Sequence, residues 1–421
     1  MNPAIVFNVF FNGLGVIRAL GENGIKVMAL DSNKKAVGRY SKYTTEFKVV
    51  TDPSLNDAKF IDELIEFGKR SKWKPVLFPT NDTWSIAISK HKQRLEKYFL
   101  TYNSDYSVIK KIVDKSAFYK MMEEENILIP KTYHIRNYNE LKKYKDQLIY
   151  PLILKPNARM EVNRNPHQVR VYNLNRMVVI NKYDDFFKHK LLIEKYDFLI
   201  QQKIEGLSNK MFTIGIYADK DSNVRAVFSG RKVRGFPVDH GDCFAGETYW
   251  VDELVEQSKK IVKILGCTGI AEIEYKYNVN DGRYYLIEMN PRTWSWIGIT
   301  PKAGVNLPLI AYKDLIGEDI PKYMEMDKNK RVIWTRSIED RYNCKKNHTD
   351  INDKDFLKSE DEWIESLKKY DVVVYADCDL NDMMPGLIWK KYWKKYALMR
   401  NIKIKFNNIA SYFKRPKILG T

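Results

Sequence analysis

The chain opens on an unbroken apolar run, Ala4–Phe10, which reads as a strand buried on both faces. The turn Asn12-Gly13-Leu14-Gly15, a short helix from Val16 to Asn23 and a second strand, Lys26–Leu30 ending at Asp31, follow it. Val76–Phe78 is another short apolar strand and runs into Pro79-Thr80-Asn81-Asp82. From about Ser107 the pattern changes. Lys110–Glu125 has helical spacing, Tyr150–Lys155 and Asp197–Gln202 read as strands, and Met211–Tyr217 and Val224–Phe228 alternate around the turn Asp221-Ser222-Asn223. Leu254–Leu265 is a helix closed by Gly266. Ala271–Tyr277 and Arg283–Met289 then form a hairpin about Asn280-Asp281-Gly282, a strong turn signal. Beyond about Lys328 only Val372–Tyr375 reads as a strand, and the segment is expected to be an appendix.

The first unit, strand–glycine turn–helix–strand, is half of a Rossmann-like domain of α/β type, and the mixed order after it is α+β. The 421 residues imply two or three domains. The expected bounds are 1–106, 107–327 and 328–421. A dinucleotide site at the first turn is disfavoured. Asp31 stands where a ribose-binding acid would, but Arg18 occupies the place of the third glycine. Asn81 and Asp82 follow a strand C-terminus, where open α/β sheets hold ligands, although Asn-Asp after Pro is also ordinary turn chemistry.

Composition adds limits. With 44% hydrophobic and 29% charged residues the chain is globular rather than disordered. Cys243, Cys267, Cys344 and Cys378 form no CxxC pair, which argues against a zinc site or a disulfide framework and fits a reducing cytoplasm. The N-terminus reads as lacking a signal peptide, and no apolar run approaches the ~20 residues a spanning helix needs. The net charge of +18 would attract nucleic acid, an anionic membrane or a polyphosphate. No nucleic-acid reader motif accompanies it, so no nucleic-acid partner is expected.

The chemistry concentrates in the second hairpin. Residues two apart on a strand share a face, so Glu288 and Asn290 point the same way and Glu274 can join them from the partner strand. Two carboxylates and an amide oxygen make a hard-oxygen site suited to Mg²⁺. Unpaired buried carboxylates would otherwise be costly.

With these residues in view, the chain resembles the ATP-grasp superfamily. Ile287-Glu288-Met289-Asn290-Pro291-Arg292 looks like its closing motif, and Glu274 lies fourteen residues upstream, where the family carries its other metal-binding acid. Asp114-Lys115, Leu154-Lys155-Pro156 and Leu199-Ile200-Gln201-Gln202-Lys203-Ile204-Glu205-Gly206 look like the two lysine motifs and the segment whose backbone reads adenine. The resemblance spans roughly Ser107 to Leu309. It implies an ATP-grasp fold of two α+β subdomains, with a lid at about 130–205, behind a Rossmann-like pre-ATP-grasp domain. By resemblance, Glu274, Glu288 and Asn290 hold Mg²⁺ (or Mn²⁺), and Lys115, Lys155 and Gln201, Gln202, Lys203, Ile204 and Glu205 hold ATP. Arg292 faces the phosphoryl group or acyl phosphate. One departure stands out. The loop after Lys155 has no glycine, so Arg159 or Arg164 would have to replace backbone amides over the triphosphate. A clear ribose-binding acid is also missing, unless Glu205 serves.

Within the superfamily, Val37-Gly38-Arg39-Tyr40-Ser41-Lys42-Tyr43, Phe78-Pro79-Thr80-Asn81-Asp82 and Ser229-Gly230-Arg231-Lys232-Val233-Arg234 resemble the carboxylate–amine ligase branch that includes D-aspartate ligases. That branch implies an ATP-dependent ligase acting through an acyl phosphate on small-molecule carboxylate and amine substrates. The acid would be held by Asn12, Gly13, Arg39, Asn81 and Asp82, and Arg231 would assist as a catalytic arginine. The alternatives are an ATP-binding protein without ligase activity or an enzyme similar to carbamoyl-phosphate synthetases. From residue 386 the chain interleaves Trp, Tyr and Lys with no acidic residue. Such a tail suits peripheral contact with the inner face of an anionic membrane, or a helix docked on the body. A lipid-linked cell-wall or surface-polysaccharide precursor as the amine would unite the branch with the tail.

Overall fold

The computed structural model describes residues 2–157, 177–236, 238, 241–344, 351 and 353–394. The N-terminal sheet has the order β3-β2-β1-β4-β5 and is parallel throughout. Its strands are β1 Ala4–Phe7, β2 Val27–Asp31, β3 Thr44–Val49, β4 Val76–Phe78 and β5 Leu100–Thr101. The three central strands carry unbroken apolar runs because helices cover both their faces: α1 Phe11–Gly21 on one, α2 Asp57–Arg70 and α3 Asp82–Lys90 on the other. The glycine turn expected at residues 12–15 is not a turn. Helix α1 begins at Phe11, and the chain reverses at Asn8–Phe10, with Asn8 in the left-handed region at φ 50°. The Asp31 carboxylate secures that reversal by accepting from the Val9 and Asn33 amides, both at 2.7 Å. Burial raises its pKa despite these bonds. Gly15 lies inside the helix because Gly298 passes against it, its backbone N 3.1 Å from where a Cβ would stand.

Helices Tyr106–Val113 and Lys115–Glu124 replace the single helix expected over 110–125. Asp114 separates them and caps the second, accepting from the Ser116 and Ala117 amides. The lid is an antiparallel sheet, β6-β9-β7-β8, with its own core. It comprises β6 Thr132–Ile135, β7 Leu152–Pro156, β8 Val178–Ile180 and β9 Phe198–Gln202. The glycine-free loop with Arg159 and Arg164 lies outside the described residues.

The largest sheet runs β14-β13-β10-β11-β12-β16-β17, with β15 pairing on β11. These strands are β10 Met211–Ala218, β11 Val224–Phe236, β12 Asp242–Thr248, β13 Gly269–Tyr277, β14 Tyr284–Asn290, β15 Met324–Glu325, β16 Val332–Thr335 and β17 Val372–Tyr375. One face packs on helix Asp252–Leu265 and the helices over 106–124. The other face shares a core with the N-terminal sheet. There Trp294 lies over Gly215 of β10, and Trp296 covers Gly230 of β11 and Gly246 of β12. A Cβ at any of these glycines would come within 2.7 Å of an indole. The segment beyond Lys328 is therefore no appendix. β16 and β17 extend the central sheet, and the residues after β17 return to the N-terminal sheet's helix α1.

Candidate active site

The register of β13 on β14 places Glu272 opposite Asn290 and Glu274 opposite Glu288. All four side chains share one face of the sheet. Asn290 Nδ2 donates to Glu272 Oε2 at 3.1 Å and to Glu288 Oε1 at 3.2 Å. Glu272 was missed in the sequence, although its spacing from Glu274 is the same period of two that links Glu288 to Asn290. Burial pushes the Glu272 carboxyl well above the usual carboxylate range, and Glu274 beside it pushes the same way. Glu274 is also raised, by burial first, with Lys232 opposing.

Cations ring this acidic face. Lys115 Nζ lies 3.0 Å from Glu288 Oε2, and Lys232 Nζ lies 3.8 Å from Glu274 Oε1. Arg292 bonds Asn290 Oδ1 at 3.0 Å, stands 3.7 Å from Glu272, and is held from behind by Asp82 Oδ1 at 2.7 Å. Lys155, on the lid strand β7, donates to Tyr119 Oη and Gln201 Oε1, both at 2.8 Å. Tyr119 in turn donates to the Ile287 carbonyl of β14, so one phenol joins lid and closing strand. Burial raises the Tyr119 pKa to about 12.

Arg231 stands elsewhere. It pairs with Phe212, whose ring belongs to the core on the opposite face of the sheet, and its guanidinium is engaged by Glu247 and by Asp355 at 3.1 Å. Its neighbour Lys232 is the residue of that strand that points at the acids. Arg231, expected as a catalytic arginine, is turned away from the acidic face and Lys232 is turned toward it, because alternation along β11 sends the two to opposite faces. Burial, the largest single effect, lowers the Lys232 pKa, but Glu274, Glu272 and the other groups around it together outweigh burial and the net shift is upward, so the amine stays charged.

The five residues expected to hold the acid do not form one site. Asp82 meets Arg292, and Asn12 bridges the Thr80 carbonyl and, at 3.0 Å, the Thr293 carbonyl. Asn81 instead caps α3 by accepting from the Trp84 amide at 3.1 Å. Gly13 is buried against the Asn8 carbonyl, with no space for a side chain. Arg39 is exposed, over the rings of Tyr40 and Phe47 and bonded to the Lys34 carbonyl. Among the residues expected at ATP, Gln201 spends its side chain on Lys155 and Thr132. The Gln202 amide bonds the Lys131 carbonyl, the Lys203 amide bonds Pro151, Ile204 is buried, and Lys203 pairs with Glu205 at 3.5 Å. This stretch carries the chain from the lid to the central sheet.

The donor set fits a divalent cation: hard oxygens, two of them on carboxyls whose ionisation is opposed by burial and mutual repulsion. Among the described residues, no three His, Cys, Asp or Glu side chains stand close enough to ligate one ion as they are. Lys115 and Lys232 occupy the carboxylates instead.

A sheet of this topology, with an acidic face on its closing hairpin and a four-stranded lid, defines the class of the fold: it is the ATP-grasp fold, whose solved examples include chains complexed with ADP. Residues 201–338 match the family model described as "ATP-grasp in the biosynthetic pathway with Ter operon". The chain is 25% identical to the D-aspartate ligase of Enterococcus faecium over 72% of this chain and 74% of that one. It is 22% identical to the carbamoyl phosphate synthase large chain of a Thermotoga species, covering 73% of this chain but only 26% of that one. The solved N5-carboxyaminoimidazole synthetase from Staphylococcus aureus, complexed with ADP, superposes with a TM-score of 0.59 at 14% identity over 79% of this chain and 81% of that one. The chain is thus similar to ATP-grasp carboxylate–amine ligases.

Proposed function

We propose that the protein transfers the γ-phosphoryl group of ATP to a carboxylate and passes the resulting acyl phosphate to an amine. The observation that carries this reading is the acidic face of Glu272, Glu274, Glu288 and Asn290 ringed by Lys115, Lys232 and Arg292. Phosphoryl transfer demands positioning and neutralisation of charge more than covalent help from the protein. Glu272, Glu274, Glu288 and Asn290 would hold Mg²⁺, which supplies Lewis-acid polarisation of the phosphate oxygens. Lys115, released from Glu288, and Lys155 would neutralise phosphate oxygens. The backbone of Gln201, Gln202, Lys203 and Ile204 would line the base, with Glu205 near the ribose. Arg292, steadied by Asp82, and Lys232 would face the transferred phosphoryl group. A carboxylate oxygen attacks phosphorus and ADP leaves. The amine then attacks the acyl carbon, loses a proton, and inorganic phosphate departs.

The similarity to a D-aspartate ligase supports an amino acid as one substrate, and the basic C-terminus supports a membrane-borne precursor of the cell wall or surface polysaccharide as the other. Hydroxylamine tests the order of chemistry. Incubation with ATP, Mg²⁺ and a panel of amino acids, without the amine, should yield a hydroxamate and ADP. Formation of AMP and pyrophosphate would overturn the acyl-phosphate reading.

A further inference from the structure

The residues after β17 carry an exposed apolar surface that the proposed chemistry does not use. Leu380, Met383, Met384 and Leu387 are among the most exposed large apolar side chains described, Leu380 at 85%. Residues 383–394 are helical. At 3.6 residues per turn, positions 383, 384, 387, 390, 391 and 394 fall within an arc of about 120°. All six are exposed: Met383, Met384 and Leu387 toward the start, Lys390, Lys391 and Lys394 toward the end.

The opposite side of the helix is fastened to the body. Trp389 meets Phe10 edge-on at 5.0 Å between centroids and Phe11 at 5.4 Å, and Trp393 meets Tyr342 at 5.7 Å. Gly386 lies against the Asp377 carbonyl, only 2.1 Å from where a Cβ would stand. The aromatic rings thus anchor the helix, and the side chains left facing outward are methionine, leucine and lysine. The sequence continues with Lys395, Arg400, Lys403, Lys405, Lys414, Arg415 and Lys417 and no acidic residue.

We infer that this helix face is a docking surface for an anionic lipid bilayer. Leu380, Met383, Met384 and Leu387 would enter the acyl boundary while the lysines meet lipid headgroups. A flexible thioether suits an irregular apolar medium, and lysines alongside it supply the charge complementarity of an interfacial helix. The inference deepens the membrane-facing part of the proposed function and rests on it. The docked helix would hold the body at the surface where a lipid-linked amine resides.

The test is co-sedimentation of the full chain with vesicles of phosphatidylglycerol and phosphatidylcholine, and with phosphatidylcholine alone. The wild-type chain should bind the anionic vesicles, losing part of that binding as salt rises and keeping a salt-resistant remainder. Leu380→Ser, Met383→Gln, Met384→Gln and Leu387→Gln together should weaken partitioning at least tenfold and remove that remainder. Lys390→Glu, Lys391→Glu and Lys394→Glu together should abolish the preference for anionic over neutral vesicles. Both variants should keep the wild-type rate of ADP release. A wild-type chain that binds no vesicle sinks this surface and the membrane reading together. Binding by the wild-type chain that the apolar variant retains in full sinks this surface alone. So does a wild-type dimer that the apolar variant converts to monomer, since the face would then be a self-interface.

Discussion

Replacing Lys232 by methionine separates the two basic residues that adjoin on β11. The Lys232 ammonium lies 3.8 Å from Glu274 and is buried. At an effective dielectric of about 20, two unit charges at that distance attract by roughly 4 kcal/mol. Methionine keeps most of the aliphatic length but leaves the acidic face with one cation fewer, both in the resting site and opposite a transferring phosphoryl group. Loss of one preorganised charge aimed at a transition state lowers kcat by about 10²–10³-fold. Lys232→Met should therefore lose roughly that factor in ADP release per folded molecule, measured with a coupled assay at saturating ATP, in addition to whatever stability the lost pair with Glu274 costs. Arg231→Met should lose stability without losing turnover. It leaves Glu247 with Tyr370 and Asp355 with Asn209 but takes away their shared cation, and breaking such a partly buried network should cost less than the roughly 3–5 kcal/mol of a fully buried pair. The variant should melt earlier, while the folded fraction turns over at close to the wild-type rate. If Lys232→Met turns over within threefold of wild type, or Arg231→Met folds normally but is inactive, the assignment of faces to chemistry fails.

Two further outcomes follow from the buried charges. Glu272 and Glu274 have folded-state pKa values above their unfolded ones, so the protons they hold stabilise the fold at acid pH and that contribution disappears as pH rises through the raised values. A divalent cation replaces those protons, so the gain in melting temperature from Mg²⁺ with ADP should be small at about pH 5 and grow toward about pH 8. A gain that is flat with pH would contradict the assigned ligands. Separately, Asp382→Ala leaves Arg18 buried without its carboxylate partner and removes the acceptor for Ser41 Oγ and the Lys42 amide. It should cost about 3–5 kcal/mol and expose residues 375–394 to protease, whereas Arg18→Met with Asp382→Leu should cost less. Cleavage at the wild-type rate in Asp382→Ala would refute the latch.

The sequence revealed the closing hairpin because its acids sit on a strand, where a period of two places them on one face whatever surrounds them. Glu274, Glu288 and Asn290 were legible for that reason, and Lys115, Lys155 and Arg292 by family resemblance. What was not legible depended on partners far along the chain. Nothing local says that Arg231 will be drawn to Asp355 while Lys232 faces Glu274. The glycines at 13 and 15 resemble a phosphate-binding turn until the Asn8 carbonyl and Gly298 are seen packed against them. β16, Val332–Thr335, is a four-residue run whose only claim to be a strand is its pairing with β12 and β17. Arg39, conspicuous in a family-like motif, sits beside the corner that Asp382 fastens, on the side of the molecule where the C-terminus returns.

The bond between Arg18 and Asp382 joins residues 364 positions apart. During synthesis at about 5–20 residues per second, the guanidinium of α1 is made some 20–70 s before the carboxylate that receives it. Over that interval the N-terminal sheet must fold with a charged arginine on a helix face later covered by the Tyr375 and Ala376 carbonyls. The latch is therefore a timer as well as a tie. Helix α1 waits for partners made 357 to 364 residues later, and a ribosome that stops before Asp382 releases a chain that carries every proposed catalytic group but lacks that carboxylate.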